Sequence, residues 1–110
     1  MVAPDRGDLV WLDFAPQAGH EQAGRRPALV LSPRAYHQRT PYAVVCPITS
    51  RVKGYPFEVP LPLGLAVAGA VLADQVKSID RHARRIEVAG QAPDAVVAEV
   101  TERITALLGG

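Results

Sequence analysis

Within nine residues, GHEQAGRRP (19–27), the chain gathers His20, Glu21, Gln22, Arg25 and Arg26 between two apolar stretches. A turn does not need that chemistry, but phosphodiester transfer does. RNA carries its own nucleophile, and attack of a 2′-hydroxyl on the adjacent phosphorus requires three groups: a base for its proton, a donor for the developing negative charge and an acid for the leaving oxygen. Glu21 or His20 can be the base, and an imidazole with a pKa near ~6.5 can also act as the acid. Arg26 can grip phosphate oxygens with its planar fork. A hydroxyl from a second polar connector, TSRVKGYP (49–56), can donate to the same oxygens, either Thr49 or Ser50.

The rest of the composition narrows the class. The net charge is only +1, yet between Arg25 and Arg85 stand ten Lys or Arg against three acids, Glu58, Asp74 and Asp80, while the flanks are acidic. A central polycation of this kind marks a surface for phosphates or an acidic partner. His20, His37 and His82 are far apart and show none of the usual ligand spacings, so no metal and no other cofactor is expected. The single cysteine, Cys46, lies inside the apolar run YAVVCPI and reads as a small core residue. No G-x-S-x-G element supports a serine hydrolase. No apolar run approaches the ~20 residues of a membrane helix, and MVAPDRGDLV lacks the order of a secretory signal, so a cytoplasmic protein without membrane contact is expected. At 110 residues a single domain, 1–110, is expected.

Short strands must position these groups. DLVWLDF (8–14) and PALVLS (27–32) are rich in branched and aromatic residues and bounded by Gly or Pro, predicting a hairpin with a long connector of the kind that carries function. Ser32 before Pro33 predicts an N-cap and a short helical turn over PRAYHQ. YAVVCPI, FEVPL, AGAVLADQV and RRIEVAG predict further strands, in the last of which Ile86 and Val88 share a face. From Pro93 the spacing of Val96, Val97, Val100, Ile104, Leu107 and Leu108 predicts an amphipathic closing helix. Together these elements predict a mainly β, α+β fold. It is a small SH3-like barrel or strongly twisted antiparallel sheet with short helices and a C-terminal amphipathic helix.

Three segments in order, GDLVWLDFAPQAGHEQAGRRPALVLSP, CPITSRVKGYPFEVPL and LADQVKSID, resemble the MazF/PemK family of bacterial toxins, which includes Kid and ChpB. The resemblance runs from Gly7 to about Ile79 and is closest to the MazF branch. It implies a sequence-specific endoribonuclease, independent of metal and of the ribosome, that cuts single-stranded mRNA. It also implies a homodimer neutralised by a MazE-like antitoxin, whose acidic tail would complement the basic surface. On the family pattern the catalytic arginine falls on Arg26, the catalytic threonine on Thr49 and the loop glutamate on Glu21. His20 matches the histidine of the Kid branch and Asp74 its aspartate, while Leu72 stands at that branch's arginine position. The division of base and acid between Glu21 and His20 stays open. Gln22, Arg25, Ser50, Arg51, Lys53, Tyr55, Gln75, Lys77 and Ser78 are expected along the RNA path, Tyr55 as a stacking platform. A reading from another class is a non-catalytic, CcdB-like toxin that binds DNA gyrase.

Overall fold

A continuous apolar run buried on both faces makes β1 (Asp8–Phe14) an inner strand of an antiparallel ladder in which Leu9 lies opposite Leu29 and Phe14 opposite Gly24 of β2 (Gly24–Val30). The structure, a computed structural model, describes residues 3–14 and 24–110. After β2 come α1 (Arg34–His37), β3 (Tyr42–Thr49), β4 (Glu58–Pro60) and β5 (Ala70–Leu72). A 3₁₀ turn (Ala73–Gln75), β6 (Lys77–Asp80), β7 (Glu87–Gln91) and α2 (Asp94–Leu107) complete the order.

The strands form one seven-stranded sheet, β4-β5-β3-β2-β1-β7, with β6 also on β3. It is an open, twisted sheet rather than the closed barrel that was one form of the expectation. β3 divides its outer edge between two partners: Tyr42 to Val45 pair with β6, and Ile48 and Thr49 pair with β5. The 3₁₀ turn sits between those partners in sequence, so it falls at the fork.

Two apolar clusters occupy opposite faces. Leu9, Leu29, Cys46, Ile48, Val59 and Val71 pack with Val96 and Val100 of α2. Val10, Leu12, Phe14, Ala28, Val30, Val45 and Ile79 form the second cluster, against which Ile86 packs. Period-two alternation along β1, β2 and β3 assigns neighbours to opposite clusters.

Three local expectations need correction. Ser32 does not cap α1: its Oγ accepts the Val44 N–H at 2.8 Å and bonds to His37 Nε2 at 2.7 Å, while His37 Nδ1 donates to the Pro4 carbonyl at 2.7 Å. AGAVLADQV is a strand only over Ala70–Leu72, and the unanticipated β6 follows it. RRIEVAG becomes strand only from Glu87, because Asp80 Oδ1 accepts the N–H groups of His82 and Ala83 in a turn that ends with Arg85 at φ 51°. In α2, Leu107 and Leu108 are exposed. No helix is long and apolar enough to cross a membrane among the described residues.

Candidate functional site

The three-stranded part of the sheet, β4-β5-β3, turns Ile48, Val59 and Val71 toward α2. Residues of opposite parity therefore face the other way. Thr49 pairs with Ala70 and Glu58 with Leu72, so Thr49, Glu58 and Leu72 share the face turned from the helix. There they line a cleft of about 540 Å³ together with Arg51, Lys53, Tyr55, Phe57, Asp74 and Gln75.

Each wall has an identifiable support. Glu58 is buried, and its Oε1 accepts the backbone N–H groups of Lys53 at 2.9 Å and Gly54 at 2.7 Å. Its own N–H donates to the Tyr55 carbonyl at 3.0 Å. One carboxylate thus fixes the loop that presents Lys53 and Tyr55, whose ring lies 5.7 Å from Lys53 Nζ. Thr49 Oγ1 accepts the Arg51 N–H at 3.0 Å, which leaves the hydroxyl proton for another acceptor. Gly69, at φ +124°, lies so close to the Thr49 carbonyl that no side chain fits there.

Arg26 joins this face by register. β2 and β3 pair Ala28 with Pro47, where the ladder ends, and the same register continued two residues along each strand brings Arg26 level with Thr49, both with the parity of this face. Arg26 is exposed and pairs across β1 with Leu12 of the second cluster. Lys77, opposite Val45, shares that face and places its ammonium 5.1 Å from the Phe14 ring.

Arg25 points the other way. Its guanidinium bonds Asp13 at 3.1 Å and Glu87 at 3.4 Å, and Arg85 Nε reaches the same Asp13 carboxylate at 2.6 Å. The hydrogen bond from Arg85, with help from Arg25, holds the Asp13 carboxyl below its ordinary pKa. Arg34 likewise pairs with Asp5. The acidic flanks thus fold back onto part of the central polycation, and Arg51 and Lys53 remain on the cleft.

The cleft therefore brings together Thr49, Arg51, Lys53, Tyr55, Asp74 and Gln75 from the sequence-based set. Ser50 is exposed next to Thr49, and Ser78, opposite Val44, lies on the other face of β6. His20, Glu21 and Gln22 lie outside the described residues. Glu58 was missed as a site residue, although an acid between Phe57 and Val59 in a strand was a visible signal. Among the described residues, no three His, Cys, Asp or Glu side chains are grouped to hold a metal ion.

Cys46 is fully buried beneath this site, with Sγ 4.0 Å from the Ala73 carbonyl. Burial, with a smaller contribution from Asp74, pushes its thiol pKa up to about 12, so it stays protonated and unreactive near neutrality. Cys46→Ala is expected to cost about 1–2 kcal/mol of stability in urea unfolding and to leave RNA cleavage within about twofold of wild type. A folded variant without cleavage would make the thiol part of the chemistry.

The family described as PemK-like, MazF-like toxin of type II toxin-antitoxin system matches residues 5–108. The endoribonuclease toxin MazF of Escherichia coli K12 is 46% identical over 106 residues, covering 96% of this chain and 95% of the relative. The endoribonuclease toxin ChpB of the same strain is 43% identical, covering 94% and 93%. A crystal structure of MazF from Deinococcus radiodurans superposes with a TM-score of 0.92 at 59% identity, over 97% of both chains. MazF in a MazE-MazF crystal structure from the same organism superposes at 0.87 with 59% identity, over 96% of both.

Proposed function

Since the chain belongs to the PemK/MazF family of type II toxins, we propose that it is an endoribonuclease toxin that cuts single-stranded RNA at a short sequence motif without metal or ribosome. The carrying observation is the alignment of Arg26 with Thr49 on one face, beside a cleft lined by Arg51 and Lys53. Arg26 grips the scissile phosphate and stabilises the negative charge that grows on its oxygens in the transition state. The Thr49 hydroxyl, already an acceptor for the Arg51 N–H, donates to a neighbouring phosphate oxygen. A base takes the 2′-hydroxyl proton as the 2′-oxygen bonds to phosphorus, and an acid protonates the departing 5′-oxygen as its bond to phosphorus breaks. The products are a 2′,3′-cyclic phosphate and a 5′-hydroxyl. Glu21, His20 and Asp74 are the candidates for these two proton transfers.

Arg51, Lys53 and Lys77 bind flanking phosphates, Tyr55 stacks a base, and Gln22, Ser50 and Gln75 complete the path, whereas Arg25 and Ser78 lie on the faces turned from the cleft. Arg25 would have to exchange part of its pairing with Asp13 and Glu87 for RNA. The protein acts as a single cytoplasmic domain in a bacterium and works as a homodimer. A MazE-like antitoxin with an acidic C-terminal tail inhibits it by occupying the same basic cleft, a mode suggested by its Arg51 and Lys53 lining.

The test is to incubate the purified protein with a long RNA in excess chelator and to sequence the 5′ ends of the fragments. Cuts at one recurring motif support the proposal. Intact RNA from folded, antitoxin-free protein would reject it, and nicked DNA-gyrase complexes would then point to the gyrase-binding class. Glu58 supplies a second check. Glu58→Ala frees two backbone N–H groups, so the Lys53 to Tyr55 loop should loosen and KM for RNA rise roughly tenfold, with a smaller fall in kcat. Unchanged KM would remove Glu58 from any positioning role.

A further inference from the structure

The closed side of the cleft holds an unsatisfied acceptor. Gln75 Oε1 is buried from solvent and has no hydrogen-bond partner, although its residue lines the cleft. A buried amide oxygen without a donor carries a desolvation cost, and native structures keep such atoms where a ligand or water completes them. The surroundings say which kind of ligand. Asp74 stands next to it on the same 3₁₀ turn and lines the same cleft, adding a second acceptor beside the Gln75 oxygen. Arg51 and Lys53 also line the cleft and supply its cations.

We propose that Gln75 reads one base of the RNA substrate through its exocyclic amine, an N–H of which donates to Oε1. The inference rests on the endoribonuclease reading and adds to it a specificity-determining contact. Adenine, cytosine and guanine carry such an amine, which projects beyond the ring and has two hydrogens for neighbouring acceptors. Uracil carries a carbonyl oxygen where cytosine carries its amine, and that oxygen would face the Gln75 oxygen. The site therefore takes an amino-bearing base and rejects uracil. Tyr55 offers a ring face for the same base, and the Lys53 ammonium above that ring lies within reach of the flanking phosphate.

The experiment begins with the motif that wild-type protein cuts in long RNA. Short RNAs with that motif are then made with the exocyclic amine removed at one position at a time: purine riboside for adenosine, 2-pyrimidinone riboside for cytidine, inosine for guanosine. At one position, loss of the amine should lower kcat/KM for wild type roughly tenfold to hundredfold. In Gln75→Leu, whatever its overall rate, the amine-bearing and amine-lacking RNAs should be cut within about twofold of each other at that position. An amine effect that persists unchanged in Gln75→Leu overturns the assignment, as does the absence of any amine effect in wild type. The wild-type series stands by itself if Gln75→Leu does not fold. Absence of cleavage of any RNA by wild type is a separate result, which defeats the endoribonuclease reading from which this inference starts.

Discussion

Arg26→Ala is expected to lower the rate of RNA cleavage by about 10² or more, with secondary structure and unfolding midpoint close to wild type. The side chain is exposed at the start of β2, so its removal opens no cavity in either apolar cluster. By the β2–β3 register its position faces the end of β3 that carries Thr49, where the scissile phosphate would sit. An interaction that strengthens toward the transition state shows in kcat, and removing it depresses kcat and kcat/KM together. Arg26→Lys should recover only part of the loss, since a point charge cannot reproduce a bidentate fork. Single-turnover cleavage under saturating RNA measures the effect. Equal rates for wild type and Arg26→Ala would remove Arg26 from the chemistry.

Gly69→Ala should be the most damaging substitution outside the core, costing about 2–4 kcal/mol in urea unfolding and cleavage as well. The residue has φ +124°, which side-chain-bearing residues rarely adopt, and a methyl group would run into the carbonyl of Thr49. The obstacle is main chain on both sides, so no rotamer change relieves it. Ala70 is the ladder partner of Thr49, and the Gly69 carbonyl accepts the Leu61 N–H at 2.9 Å. Relaxation must therefore move the end of β3 and shift the Thr49 hydroxyl relative to Arg26. A variant with wild-type stability would show that the close approach is not present in solution.

Much of this was readable before any coordinates, and the residues explain where it was not. β1 was legible because branched and aromatic residues run between turn residues, and α2 because its apolar residues repeat at about 3.6. The burial of Cys46 followed from its place in the apolar run YAVVCPI. β6 was hidden because Lys77, Ser78 and Asp80 give it only one fully buried residue, Ile79, so no alternation of apolar residues announces it. Ser32 misled because an N-cap and a buried hydrogen-bond hub look identical in sequence; His37 and Val44, five and twelve residues away, decided between them. At the site, the residue types were legible but their directions were not. Arg25 and Arg26 are adjacent and chemically identical, and only the start of β2 at Gly24 shows that they serve opposite faces.

The helix α2 packs against the 3₁₀ turn that carries Asp74 and Gln75, and its Val96 and Val100 complete the cluster behind β3 to β5. Translation delivers the chain from its N-terminus, and segments fold only as their contacts become available. Until the codons for Asp94–Leu107 have been read and that helix has emerged, the turn has nothing behind it. A chain in which that helix has not yet formed can pair its strands, but it lacks the support that holds Asp74 and Gln75 at the cleft.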